Sequence, residues 1–205
     1  MATWLAHMRV AEFFMNRDSQ LNCIDFLVGN VAPDFGVPDK DNVKIFTPAK
    51  NITHWHTDGE IDAEGFKSKY IQKNGTESPF YLGYYLHLLT DIAFAKYYRK
   101  VTEDISTDVD LKRKVTQDYI NQDFIFLKNN PNSVFYTMFS KIKKFDNNYL
   151  DFFSEDAFTQ RIQHTTNYYL AERTHATSEI SAKYKVDLDL FVNDITKFLH
   201  ETFNT

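Results

Sequence analysis

An all-α fold organised as a single domain is what this sequence predicts, and three observations carry the prediction. Its 205 residues include only six glycines and five prolines, too few for the many turns of a sheet protein of this size. Apolar residues recur at helical spacing through most of the length, as they do where a helix buries one face. Ser78 and Pro79 then form a cap and a first-turn proline, after which roughly 20 residues run on without another proline. At this length one domain buries a substantial core, and nothing in the pattern marks a second unit.

In chain order, the periodicity predicts helices over 2–16 and 20–30. A loop follows from Pro33 to about Asp58, where three prolines and mixed polarity break the repeat. Ordered loops of that length usually carry function. Further helices are expected over 60–72, 79–101, 107–128, 131–144, 154–173 and 187–203. Lys73-Asn74-Gly75, Asn129-Asn130-Pro131 and Asp146-Asn147-Asn148 supply the connections. The last helix has the cleanest stripe, Leu188, Phe191, Val192, Ile195, Phe198, Leu199 and Phe203, which should pack on the body of the domain.

Composition narrows the function classes. A net charge of −5 argues against binding nucleic acid or anionic lipid headgroups. The single Cys23 excludes an intrachain disulfide framework, and its apolar neighbours suggest a small buried hydrophobe. No basic leader precedes a long apolar run at the start, and the most apolar stretch, 80–95, is interrupted by His87 and Asp91. It falls short of the roughly 18 apolar residues a membrane span requires, so a cytoplasmic protein without a transmembrane segment is expected. The 19 Phe and 12 Tyr mostly signal a bulky helical core, with tyrosine hydroxyls available to contact a substrate.

Chemistry concentrates in the apolar run FYLGYYLHLLTDIAFA. His87 and Asp91, four apart, stack on one helix face about 5–6 Å apart at Cβ, so both can reach a single metal ion. Gly83, one turn earlier on the same ridge, leaves room for another backbone or a ligand group. His7 lies among Leu5, Ala6, Met8 and Val10 on the first helix, and Asp34 follows Pro33 at the end of an apolar helix. Each alone has a plain structural explanation, a satisfied core imidazole or a turn carboxylate capping local N–H groups. His54 and His56 flank Trp55 and would point to one side of an extended segment, with His54 the favoured ligand. For His87 with Asp91 the structural alternative is a hydrogen-bonded pair that stiffens the core. Imidazole and carboxylate together suit Zn2+, with Fe or Mn as substitutes, and a bridging carboxylate can hold one ion or two.

In this order the residues resemble the zinc-dependent phospholipase C family, whose all-helical fold is shared with the single-strand-specific zinc nucleases. The likeness rests on His7 in TWLAHMRVAEFF, Gly29 to Asp34 in GNVAPD, His54 in THWH, and the His87-x-x-x-Asp91 helix, and covers about the first 100 residues. It implies a metal-dependent phosphoesterase with Asp34, His54, His87 and Asp91 around one ion and His7 sharing Asp91 toward a second. The pattern departs from secreted members, which use an amino-terminal tryptophan as ligand, because Trp4 is internal and no histidine follows Asp91 closely. His164 and the pair His175 and Glu179 come much later and read as a polar helix face with Glu172, or as part of a third site. His200 most simply complements the dipole of the last helix.

The function expected is hydrolysis of a small phosphate ester by a metal-activated water, with Asp34 both holding metal and receiving the water's proton. The substrate pocket should lie between the first helix, the 33–58 loop and the central helix, within reach of Lys50, Trp55 or nearby tyrosines. A phosphohydrolase built on an adjacent His-Asp dipeptide is disfavoured, since that dipeptide is absent. The alternative from another class is a non-catalytic helical binding protein with a metal-stabilised or hydrogen-bonded His/Asp core.

Overall fold

A computed structural model describes residues 1–42, 44–72, 78–171 and 180–203. It is 65% helical and 4% strand, so the all-α expectation holds. Helix α1 (Trp4–Met15) starts where the Thr3 side chain accepts a hydrogen bond from the Ala6 N–H at 3.1 Å. Helix α2 (Ile24–Gly29) leads into a 3-10 turn at Ala32–Phe35. Beyond it lie a two-residue pairing of β1 (Val37–Pro38) with β2 (Phe46–Thr47), a short α3 (Lys50–Thr53), and a hairpin of β3 (His56–Thr57) with β4 (Glu60–Ile61). Helix α4 (Ala63–Lys67) is capped by Asp62 and continues into a π turn at Ser68–Gln72.

The central helix α5 (Pro79–Thr102) begins at the expected proline. It is followed by α6 (Val109–Asn129), α7 (Val134–Thr137), α8 (Ala157–Leu170) and α9 (Leu188–Phe203). The break at Lys73-Asn74-Gly75 lies outside the described residues, as do the last positions of the helix expected over 154–173.

Three expectations need correction. The helix expected over 60–72 starts only at Ala63, because Asp58 and Gly59, at φ 53° and 85°, close a two-residue hairpin turn before it. The helix expected over 131–144 ends at Thr137 and gives way to a 3-10 turn at Phe139–Lys141. Beyond that turn, Phe145 is captured by α8: its N–H donates to the Thr159 hydroxyl at 2.9 Å, and that hydroxyl donates to its carbonyl at 3.1 Å. In the α9 stripe, Leu188, Phe191, Val192, Ile195 and Leu199 are buried but Phe198 is 62% exposed, and the side chain of Phe203 lies outside those described. Cys23 is half-buried and packs at the edge of the core.

One contact sets the register of the core. A Cβ on Gly29 would fall 2.1 Å from the Phe80 carbonyl oxygen, and one on Gly83 would fall 2.2 Å from that of Phe26. The backbones of α2 and α5 therefore touch, and the space that Gly83 leaves is taken by α2. Asn30, just past α2, donates from its side-chain amide to the Gly83 carbonyl at 3.0 Å. This crossing aims the end of α2 at the ridge of α5 that carries His87 and Asp91.

Candidate metal centre

Four separate elements deliver the predicted residues to one place. His7 projects from α1, Asp34 from the 3-10 turn after α2, His54 from the residue that caps the end of α3, and His87 and Asp91 from α5. His7, His54, His87 and Asp91 are at most 1% exposed, and the Asp34 side chain is 6% exposed. The step from His54 to His56 is not extended: Trp55 has φ 53°, a left-handed conformation costly for a bulky residue. Its indole is gripped by Phe66 and Tyr70, with ring centroids 5.7 and 5.6 Å away, and that packing holds the turn. The Tyr84 hydroxyl also donates to the Thr53 carbonyl, pinning α3 to α5. His54 consequently faces inward while His56 is exposed, its ring 6.4 Å from that of His54.

Asp91 is the hub. Its Oδ1 lies 3.4 Å from His7 Nε2, and its Oδ2 lies 3.5 Å from both His54 Nε2 and His87 Nε2. Asp34 Oδ1 is 3.4 Å from His54 Nε2. None of the three Nε2 atoms has a hydrogen-bond partner, and neither does Asp91 Oδ2. His87 Nε2 and Asp91 Oδ2 thus stand 3.5 Å apart, longer than an ordinary hydrogen bond. Buried polar atoms left bare cost roughly 1–3 kcal/mol each, so their convergence calls for a shared partner. Ligands about 2.0–2.1 Å from a tetrahedral zinc are separated from one another by roughly 3.4 Å. The observed Nε2 to carboxylate separations match that edge, so the donor set fits such an ion in both chemistry and spacing. The ligand atoms of His54, His87 and Asp91 lie within 4.8 Å of one another, and so do those of His7, Asp34 and His87.

Outer contacts orient the rings. His87 Nδ1 lies 2.9 Å from the Asn30 carbonyl, which can only accept, so the proton sits on Nδ1 and the Nε2 lone pair points into the cluster. His54 Nδ1 is 3.1 Å from the Thr53 hydroxyl, which itself donates to the Lys50 carbonyl, giving His54 the same tautomer. The rings of His7 and His87 stack with centroids 3.7 Å apart. The Ala2 N–H donates to Asp91 Oδ1 at 2.8 Å and fixes that carboxylate from the far side.

The proton balance points the same way. Burial opposes charge on His54, yet the Asp34 and Asp91 carboxylates push it up to about 9. Burial and the neighbouring His7 drive His87 down to about 4. Burial also works against ionised Asp91 and Asp34, but His54 and the other imidazoles hold Asp91 well below the usual carboxylate range and Asp34 below it. Two ionised carboxylates are thus buried together, of which a protonated His54 balances one and a divalent cation would balance both.

Asp34 connects the cluster to a cleft of about 460 Å3, lined also by Trp4, Lys50, Asp123, Arg161 and Tyr169. Its walls come from residues 1–4, the loop, α6 and α8, whereas the sequence suggested the central helix. Lys50 takes the expected place, but Trp55 packs into the core instead. Asp123 accepts from the Thr3 hydroxyl at 2.9 Å and from the Tyr169 hydroxyl at 2.8 Å, and Tyr169 in turn accepts from the Leu5 N–H at 3.1 Å. This buried chain holds the start of α1 against α6 and α8. Sequence reasoning missed Asn30, Asp123 and Arg161; a charged residue on the buried stripe of a helix was the available signal for the last two.

His164 is not part of the cluster. It is exposed on α8, edge-on to Trp4 with centroids 6.0 Å apart. His200 packs against Phe13 on α1, and His175 and Glu179 lie outside the described residues. Among the described residues, no helix is long and apolar enough to cross a membrane. No protein-family model, curated protein or solved structure matches this chain.

Proposed function

We propose that the chain is a metal-dependent phosphoesterase, in line with its resemblance to the zinc-dependent phospholipase C family. One observation carries the reading: three buried, unpartnered imidazole Nε2 atoms converge on two carboxylates, one of which opens onto a cleft. His7, His54, His87, Asp34 and Asp91 are the residues that hold zinc, with iron or manganese as substitutes. Asp91, whose two oxygens face different imidazoles, is suited to bridge a pair of ions as well as to serve one. When bound, such an ion supplies Lewis acidity, making a water nucleophilic near neutral pH and offsetting charge on the phosphoryl oxygens.

The protein's own groups do the rest. Asp34, at the cleft edge, would receive the water's proton as the new P–O bond forms, and that proton would pass to the departing alkoxide oxygen as the ester P–O bond breaks. The Asn30 carbonyl and Thr53 hydroxyl keep the rings aimed. The substrate is a small phosphate ester, a size that a cleft of about 460 Å3 accommodates.

The depth of His7 and His87 also favours a second reading, a binding protein whose ion is coordinatively closed. The test is elemental analysis of the purified protein beside hydrolysis of generic phosphomonoester and phosphodiester reporters, with and without chelator. Stoichiometric zinc, iron or manganese with chelator-sensitive turnover supports the esterase. A tightly held metal without turnover on either reporter supports the second reading, and failure to bind any metal under loading removes both.

A further inference from the structure

We propose that Arg161 is a substrate-binding residue: its guanidinium, in the wall of the cleft that Asp34 of the metal cluster also lines, takes the non-bridging oxygens of a phosphomonoester. This rests on the phosphoesterase reading and adds the substrate class to it. Arg161 is on α8, only 7% exposed, yet its Nε has no hydrogen-bond partner and it forms no ion pair among the described residues. Buried arginines are almost always paired, and a guanidinium without a carboxylate marks a place kept for an anion. One face of the group is backed by Trp4, whose ring centroid is 5.8 Å away, so its fork is constrained in direction. It lines the same cleft as Asp34, the carboxylate that most offsets the burial of its charge.

Charge decides between ester classes. A phosphomonoester near neutral pH carries close to two negative charges and a diester one. Two cationic side chains stand in the cleft, Arg161 in the wall and Lys50 near Phe46, over whose ring its ammonium lies 4.6 Å from the centroid, beside two carboxyls that are otherwise engaged, Asp34 by the cluster and Asp123 by the Thr3 and Tyr169 hydroxyls. Cations additional to the ion or ions at the cluster match the second charge of a monoester, and a planar fork contacts two of its oxygens at once. The aromatic walls, Trp4, Tyr119, Tyr168 and Tyr169, leave the remainder of the cleft for an apolar or ring-bearing ester group.

The experiment measures the affinity of metal-loaded protein for inorganic phosphate by equilibrium dialysis, in the wild type, Arg161→Gln and Arg161→Lys, with metal content and far-UV circular dichroism recorded for each. Arg161→Gln should weaken phosphate roughly ten- to a hundredfold, with Arg161→Lys recovering part of the loss. It should also lower kcat/KM for a monoester reporter more than for a diester reporter. An Arg161→Gln protein that folds, holds full metal and binds phosphate as the wild type does overturns the proposal while leaving the esterase reading intact. Should the glutamine variant not fold, phenylglyoxal labelling of the wild type decides: phosphate should slow modification of Arg161 itself, mapped by peptide mass, and equal rates with and without phosphate overturn the assignment. Labelling that phosphate slows in a protein that takes up no metal upholds the anion site and removes the esterase.

Discussion

Replacing Asp91 by asparagine tests the cluster most directly, because the change preserves shape and removes one charge. The asparagine carbonyl oxygen can still accept from the Ala2 N–H, now 2.8 Å from Asp91 Oδ1, so the local fold has little reason to rearrange. What is lost is the carboxylate that three imidazole Nε2 atoms approach at 3.4–3.5 Å. Zinc held by four protein ligands is bound with roughly 10–16 kcal/mol, so one ligand accounts for about 3 kcal/mol, or a hundred- to a thousandfold in affinity. At free zinc about a thousand times the wild-type Kd, binding adds ~4 kcal/mol to stability and raises Tm by roughly 8–16 °C in a chain of this size. With a thousandfold weaker site the same zinc concentration adds only ~0.4 kcal/mol, a shift of about 1 °C. Differential scanning calorimetry with and without zinc, paired with metal analysis after dialysis, reads both quantities. An Asp91→Asn protein with full metal content and the wild-type thermal shift would refute the placement of Asp91 at the hub.

Three further outcomes are expected. Gly83→Ala puts a Cβ 2.2 Å from the Phe26 carbonyl and must push α2 off α5, costing roughly 1–3 kcal/mol or more by urea unfolding and weakening metal through the displaced Asn30 carbonyl; unchanged stability would mean that the crossing is looser than described. Gly59→Ala meets no atom within 4 Å, so its cost is that of φ 85° alone, about 1–2 kcal/mol with metal affinity untouched, and a neutral result would contradict the hairpin turn. Burial raises the Asp123 carboxyl to about 7, above an ordinary aspartate near ~4, against hydrogen bonds from Tyr169 and Thr3. Its contribution to stability is therefore fully present below about pH 4 and is lost as pH rises toward 7, so Asp123→Asn should flatten the fall in urea midpoint across that window; an identical slope in wild type and variant would show that Asp123 does not titrate there.

Much of this was legible along the chain because helices write themselves in short repeats. Pro79 after Ser78, the i to i+4 spacing of His87 and Asp91, and the apolar stripe of α9 are local facts, and the structure keeps each except for outward-facing Phe198. The Asp58-Gly59 pair is an equally local signal for a hairpin, but a weak one, because the flanking strands are only two residues long and show no alternation. Other features had no local signature. His54 turns inward and His56 outward because Phe66 and Tyr70 hold Trp55 at φ 53°, and those partners come from the following helical segment. The helix expected over 131–144 stops at Thr137, and the chain beyond it is held at Phe145 by a hydroxyl of α8.

The sequence by itself determined the fold class and pointed to the five residues that converge, since spacing on a helix and imidazole or carboxylate chemistry are properties of short stretches. Only the tertiary structure decided that Arg161 and Asp123 share a cleft with Asp34, that Asn30 orients His87, and that Trp55 leaves the site. Those relations join residues up to 127 positions apart, Asp34 to Arg161, and depend on how closely helices approach. That approach is set by packing in the core, where two missing Cβ atoms at Gly29 and Gly83 let α2 and α5 touch and bring everything attached to them into register.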